Sequence, residues 1–210
     1  MRLVVLADDM LKEELVSNGT TNEVEIIWID QVDEFANEKN ADGYIDLLFE
    51  NTKKRIELLK DLSSQPVIIN SVVDTLEEID GPFIRINAWP GFLKRSIVEA
   101  CCNSNSLRER AERIFNRLNK KIEWVPDKPG FVTARVIAMI INEAWFALEE
   151  GISTRVEIDT AMKLGTNYPY GPFEWGNLLG LQNIYALLDK LHKTNTRYRP
   201  AESMKKEVIA

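Results

Sequence analysis

The chain has 210 residues, 45% of them hydrophobic and 28% charged, the make-up of a globular protein able to bury a substantial core in one or two domains. A formal net charge of −7 opposes a nucleic-acid groove or an anionic membrane surface as the main partner. In the opening MRLVVLADDM the apolar run is too short for a secretory leader and meets acids at once, so a cytoplasmic location is expected. From there the first half alternates short apolar runs with charged helical stretches, the grammar of a parallel sheet with helices on its faces. Strands are predicted over residues 3–7, 24–30, 44–49, 66–70 and 83–88. Between them MLKEELVSNG reads as a helix closed by Gly19, and NTKKRIELLKDLSS as one capped by Asn51, with Ile56, Leu59 and Leu62 along one face. SLRERAERIFNRLNKK, started from Ser106, carries Leu107, Ala111, Ile114 and Leu118 as its inner stripe, and its basic residues read as a solvated face.

Cys101 and Cys102 are sequence neighbours that cannot close a stapling loop, and no partners stand at metal-ligand spacing, so both are expected to be buried small apolar residues and no metal is expected. Pro126 and Pro129 in IEWVPDKPGF then make a stiff connector, and everything beyond it is helical. The first of these helices, over residues 131–148, is apolar nearly all round. Arg135, Asn142 and Glu143 make a membrane span costly there, so it belongs in a domain core or a subunit interface. STRVEIDTAMKLG follows, capped by Ser153 or Thr154 and stopped by Gly165, and a last helix runs over residues 182–193. The economical division is an α/β domain over residues 1–124 and an all-α domain over residues 125–210.

The second half also carries a signature. DKPGFVTARV, then EEG, then IDTAMKLGTNYPYGPFEWGNLLGLQNI and finally YRPAESMKKEV closely resemble the C-terminal domain of the 3-hydroxyacyl-CoA dehydrogenases. In the first half, DGYIDLLFENTKKRIELLKDLSSQPVIINS and INAWPGFLKRSIVEAC are similar to that family's strand, helix and strand leading to its active-site loop, and to the strand bearing its catalytic histidine and glutamate. The resemblance implies a Rossmann-like domain binding NAD, here reduced, an all-helical C-terminal domain forming a homodimer, and an acyl-CoA whose 3-hydroxyl is oxidised by hydride transfer; from the charge balance no nucleic acid and no membrane are expected as partners. Such chemistry needs a base for the hydroxyl proton and polar groups on the developing carbonyl oxygen.

By that resemblance Glu99 is the family's glutamate. The histidine position falls on Asn87 counted back from Glu99, or on Ile86 counted from Pro90, and neither takes a proton near neutral pH. The only histidine, His192, lies far off in LLDKLHK. The family's helix asparagine is replaced by Ala134, and its active-site serine falls on Val72 or, one register away, on Ser71. Toward the cofactor, Asp30 sits where a Rossmann acid holds the adenosine ribose, Glu50 and Arg55 match positions near the cofactor, and Asn70 matches one near the nicotinamide. The phosphate-binding turn, glycine-rich in the family, reads Ala7-Asp8-Asp9. A carboxylate about 4 Å from a phosphate oxygen costs on the order of 4 kcal/mol at an effective dielectric near 20. As helix starters, the same acids are good caps. Only about a dozen residues separate Asp30 from DGYID, so part of the nucleotide-binding half is expected to be missing. Two readings follow: a dehydrogenase with an unusual, weak site, or a relative that keeps the fold as an acyl-CoA or small-ligand binding protein.

Overall fold

β-branched and aliphatic runs near the start of the chain pair side by side, because helical returns leave parallel pairing as the short way back to the sheet. The computed structural model describes residues 1–209, and its residues form two compact units, the first Met1–Phe131 and the second from Val132 onward. The first unit holds seven strands, β1 (Arg2–Leu6), β2 (Glu25–Ile29), β3 (Gly43–Asp46), β4 (Val67–Asn70), β5 (Ile84–Ile86), β6 (Ile97–Cys101) and β7 (Lys121–Trp124), in the order β2-β1-β3-β4-β5-β6-β7. All neighbours are parallel except β5 and β6. The five predicted strands are therefore present, and two more lie where the sequence suggested only a catalytic segment and a connector.

Five helices cross over this sheet: α1 (Asp9–Val16), α2 (Val32–Asn37), α3 (Lys53–Asp61), α4 (Leu76–Ile79) and α5 (Asn105–Arg117). Alternation along the strands puts Leu3, Val5, Ile45, Ile68, Ile84 and Ile86 on one face, against Leu11 and Leu15 of α1 and Ala111, Ile114, Phe115 and Leu118 of α5. The helix starts differ from the sequence reading by one or two residues. Thr52 rather than Asn51 caps α3, its side chain accepting from the Arg55 amide, while Asn51 donates to Asp74; Ser104 rather than Ser106 caps α5. Each true cap is the residue whose oxygen stands three positions before the amide it covers, and the sequence offered two candidates within reach.

Three buried charges, Arg85, Glu14 and Lys120, tie the periphery to this core. Arg85 of β5, fully buried, donates to Asp127 Oδ1 at 2.5 Å and to the Lys128 carbonyl at 2.7 Å, with its guanidinium 4.3 Å over the Phe131 ring. Asp127 also accepts from the Leu76 amide and from the Cys101 thiol, so the proline connector packs with the first unit. Cys101 and Cys102 are buried, and burial pushes the Cys101 thiol up to about 12. On α1, the buried Glu14 takes the Gly91 amide at 2.7 and 3.0 Å, and Lys120 donates to Asn18 and to the carbonyls of Leu93 and Arg95. Gly91 has φ 85°, a conformation that favours glycine, and its bare amide can reach the carboxylate.

The second unit is all helical: α6 (Thr133–Glu149), α7 (Arg155–Thr166), α8 (Pro172–Leu179), α9 (Leu181–His192) and α10 (Glu202–Ile209). Asn142, a polar residue in apolar α6, is buried and brackets the chain entering α10, donating to the Arg199 carbonyl and accepting from the Ala201 amide, both at 2.9 Å. Thr154 caps α7 in a capping box with Glu157; Gly165 lies inside the helix, and Asn167 with φ 56° ends it. No helix among the described residues is long and apolar enough to cross a membrane.

Because the Asp127 carboxylate lies 2.5 Å from the fully buried Arg85 guanidinium, Asp127→Ala is expected to destabilise the protein by about 3–5 kcal/mol in urea unfolding. Glu23→Ala, which removes the exposed Arg117–Glu23 pair, is expected to cost under about 1 kcal/mol. Equal losses would contradict this account of the connector.

Candidate functional site

In an open α/β sheet the ligand crevice lies beyond the carboxyl ends of the strands, where the strand order reverses. Here the order reverses around β1, which has β2 on one side and β3 on the other. Compared with the dinucleotide-binding order 3-2-1-4-5-6, the sheet lacks the strand outside β2, which becomes the edge. The short link from β2 through the six-residue α2 to β3 leaves no room for that strand.

The sequence-predicted residues fall into two groups. Asp30, Glu50 and Arg55 line one cleft of about 360 Å³, together with Leu6, Val32 and Leu48. Arg55 does not offer its charge there: it is 6% exposed and grips Asp46, the last residue of β3, with Nε–Oδ2 2.7 Å and Nη2–Oδ1 3.0 Å, adding the Leu48 carbonyl at 3.2 Å. Burial outweighs this guanidinium and pushes the Asp46 carboxyl up to about 6. Sequence reasoning missed Asp46, since nothing in YIDLLF distinguishes a buried acid from a strand-end acid. Asp33 and Lys54 complete the charged lining.

At the turn from β1 into α1, Asp8 is the N-cap, its Oδ1 accepting from the Leu11 amide at 2.8 Å. The helix end that would face a pyrophosphate thus has its own carboxylate on it. Asp9, almost fully exposed, lies 3.3 Å from the Lys12 ammonium. These residues do not fit the pyrophosphate of a dinucleotide: the turn has no glycine for close backbone approach, and the cleft's arginine is committed to Asp46.

The second group gathers at the ends of β4 to β6. Asn70 closes β4 with its amide spread over both neighbours, Nδ2 donating to Leu47 O at 3.1 Å and Ala88 O at 3.3 Å, and Oδ1 accepting from Ala88 N at 3.0 Å. Ser71, buried, donates to the Asp74 carbonyl at 3.0 Å and shapes the turn into α4. The antiparallel register of β5 and β6 carries on past Ile86↔Ala100, so that Asn87 N donates to Glu99 O at 3.1 Å. Asn87 Nδ2 then donates to Glu99 Oε2 at 3.0 Å, while its Oδ1 takes the Trp89 amide at 3.4 Å. Asn87, and not Ile86, therefore stands at Glu99, and Ile86 is buried in the apolar cluster. In the second unit Ala134 is fully buried in α6, and His192 ends α9.

The 3-hydroxyacyl-CoA dehydrogenase C-terminal domain family matches residues 130–210. A 3-hydroxyadipyl-CoA dehydrogenase of Escherichia coli (strain K12) is 33% identical over 178 residues, 82% of this chain and 34% of that protein. The chain therefore spans about a third of the length of that relative. A probable 3-hydroxybutyryl-CoA dehydrogenase of Bacillus subtilis (strain 168) is 28% identical over 222 residues, 98% of this chain and 76% of its own. Among solved structures, the (S)-3-hydroxybutyryl-CoA dehydrogenase of Ralstonia eutropha aligns with a TM-score of 0.77 at 21% identity, covering 99% of this chain and 93% of its own. That likeness covers the sheet unit and the helical unit alike.

The raised Asp46 carboxyl makes stability depend on pH. Between about pH 4, where an unfolded aspartate titrates, and about pH 6, the folded chain holds more protons than the unfolded one, so this group's contribution is lost as pH rises. The expected result is that Asp46→Asn, although less stable, loses less stability than the wild type between pH 4 and 6 in urea titrations. Parallel pH profiles would contradict it.

Proposed function

This chain belongs to the 3-hydroxyacyl-CoA dehydrogenase family, and we propose that it keeps the family fold while its own dehydrogenase turnover is weak or lost, acting as a binding protein for an acyl-CoA-type ligand. The observation that carries the reading is Asn87 on Glu99. Oxidation of a 3-hydroxyl needs a group that takes the hydroxyl proton, and an amide has no suitable pKa. Both ends of the Asn87 amide also serve the fold, one on Glu99 and one on the Trp89 backbone. Support comes too from Ala134, whose methyl group cannot donate to a developing carbonyl oxygen, and from the crowded Asp8 turn. The acyl-CoA class rests on the relatives, whose names are those of dehydrogenases of hydroxyacyl-CoA compounds.

A second reading, a working dehydrogenase, has one observation in its favour. Glu99 is only half-buried and stands beside Asn87, a carboxylate that can itself accept a proton. Loss of a proper base typically costs 10²–10⁴ in rate, so this reading still implies slow turnover.

The helical unit supports a homodimer. Ile152, Val156 and Leu164, in and just before α7, are 68%, 75% and 83% exposed, an apolar surface that a second copy would cover.

With acetoacetyl-CoA and NADH, the chain is expected to oxidise NADH at least about 10²-fold more slowly than the Bacillus subtilis relative under the same conditions. Asn87→His, which places an imidazole beside Glu99, is expected to recover no activity, because the base is not the only loss; recovery by about that factor would overturn the reading. Calorimetry should show saturable acetoacetyl-CoA binding, and its absence would remove the binding role. Light scattering is expected to give about twice 24.1 kDa, and a monomer at micromolar concentration would exclude the dimer.

A further inference from the structure

The helical unit has a cleft of its own between α6, α7, α8 and α10, with a volume of about 180 Å³. Two aromatic rings wall it, Trp145 and Phe173, packed edge to face with centroids 5.3 Å apart. The Arg155 guanidinium lies over both, 4.5 Å from the Trp145 ring and 5.4 Å from that of Phe173, and Glu207 of α10 holds it through both terminal nitrogens. Asp159, buried, accepts from the Phe173 and Glu174 amides at 2.8 and 3.2 Å and so satisfies the first turn of α8. These contacts account for both carboxylates and for the guanidinium. They do not account for Trp145, which is only 2% exposed and whose Nε1–H has no hydrogen-bond partner among the described residues. A buried donor left unpaired is costly, and one on a residue that lines a cleft calls for an acceptor from what the cleft holds.

Size and charge narrow that acceptor. Room of about 150 Å³ holds benzene in a protein interior, so this cleft takes one ring with a small substituent and is too small for a nucleotide or a coenzyme A. Two carboxylates against one guanidinium disfavour an anion. The Glu207 carboxylate and the exposed Asn177 amide still offer acceptors, whereas the Trp145 N–H is a donor in need of one. A carbonyl and an N–H2 group in the plane of one ring meet both demands. We propose that this cleft binds a small uncharged aromatic amide, its carbonyl oxygen accepting from Trp145 Nε1, its N–H2 donating to Glu207 or Asn177, and its ring packed on Phe173 and Leu181. The inference goes beyond the proposed acyl-CoA binding and does not depend on it.

The test is a nuclear magnetic resonance titration of the whole isotope-labelled chain with benzamide, benzoate and toluene in parallel. The chain has five tryptophans, and the Trp145 indole signal is the one that Trp145→Phe removes. Benzamide is expected to shift that signal saturably at millimolar concentration or below, with benzoate and toluene at least about tenfold weaker, because the first brings like charge and the second no acceptor. By calorimetry, Trp145→Phe is expected to bind benzamide about threefold to tenfold more weakly, the loss of one hydrogen bond. A Trp145 signal that stays still at millimolar benzamide would overturn the proposal, as would one that benzoate or toluene moves as readily, or an equal shift of all five indoles. Val156 lines the cleft and belongs to the surface proposed for the second copy, so light scattering is expected to give the same mass with and without benzamide. Dissociation would mark the cleft as the seat of the second copy and overturn the site as well. Failure of benzamide leaves the NADH oxidation and acetoacetyl-CoA results standing, so the two readings fall separately.

Discussion

The Asn70 amide reaches from the end of β4 to Leu47 on one side and Ala88 on the other, so that one side chain spaces the carboxyl ends of three neighbouring strands. Strand ends are where backbone pairing runs out, and a donor and acceptor on one planar group can replace the missing ladder bonds there. The consequences spread outward. With Ala88 fixed, Asn87 has to face β6, and the antiparallel register sets it against Glu99. With Leu47 fixed, the next residue, Leu48, offers its carbonyl to Arg55 and its amide to Asp46, so the floor of the cleft is built from the same pin. A position that the family resemblance puts near the nicotinamide is, in this chain, first of all a splice between strands.

Much of the architecture can be read from the sequence because hydrophobic period and punctuation are strong where strands are fully buried. Residues 3–7 and 66–70 are near-continuous apolar runs, as parallel strands covered on both faces must be. β7 is different: Lys121–Trp124 lies at the sheet edge with alternate residues exposed, and its short run before two prolines has too little apolar content to stand out. The helix ends were shifted for a local reason. Asn51 and Thr52, or Ser104 and Ser106, are chemically equivalent caps, and only the tertiary position of the first amide selects between them.

The site was legible in identity more than in role. Counting residues leaves Asn87 and Ile86 as alternatives because a one-residue insertion moves every later anchor, whereas which of the two meets Glu99 is fixed by the β5–β6 register, which sets Asn87 there. Arg55 shows the opposite failure. Its place in the sequence matches a cofactor neighbour, yet its partner Asp46 is nine residues earlier and buried, a pairing that neither helical nor strand period indicates. Lys120 is a further case: it falls in the run whose basic residues read as a solvated face, yet it is buried and, with the buried Glu14, holds the segment around Gly91 to Arg95.

The departures around β1 fall at one end of the sheet. A Rossmann half needs its outer strand to extend the crevice over which a dinucleotide lies. With a six-residue α2 in that place, β2 is an edge and the cleft is short, so the far part of a dinucleotide has less protein to lie on. In the turn before α1, an acid adds capping and macrodipole stabilisation of about 1 kcal/mol. Asp8 at the start of α1 and the short β2–β3 link thus depart, at the same end of the sheet, from the Rossmann pattern. The cleft beside β1 is lined by Asp30, Asp33, Glu50 and Lys54, and its arginine is held by the buried Asp46, so an ion pair inside the fold decides how much positive charge that lining carries.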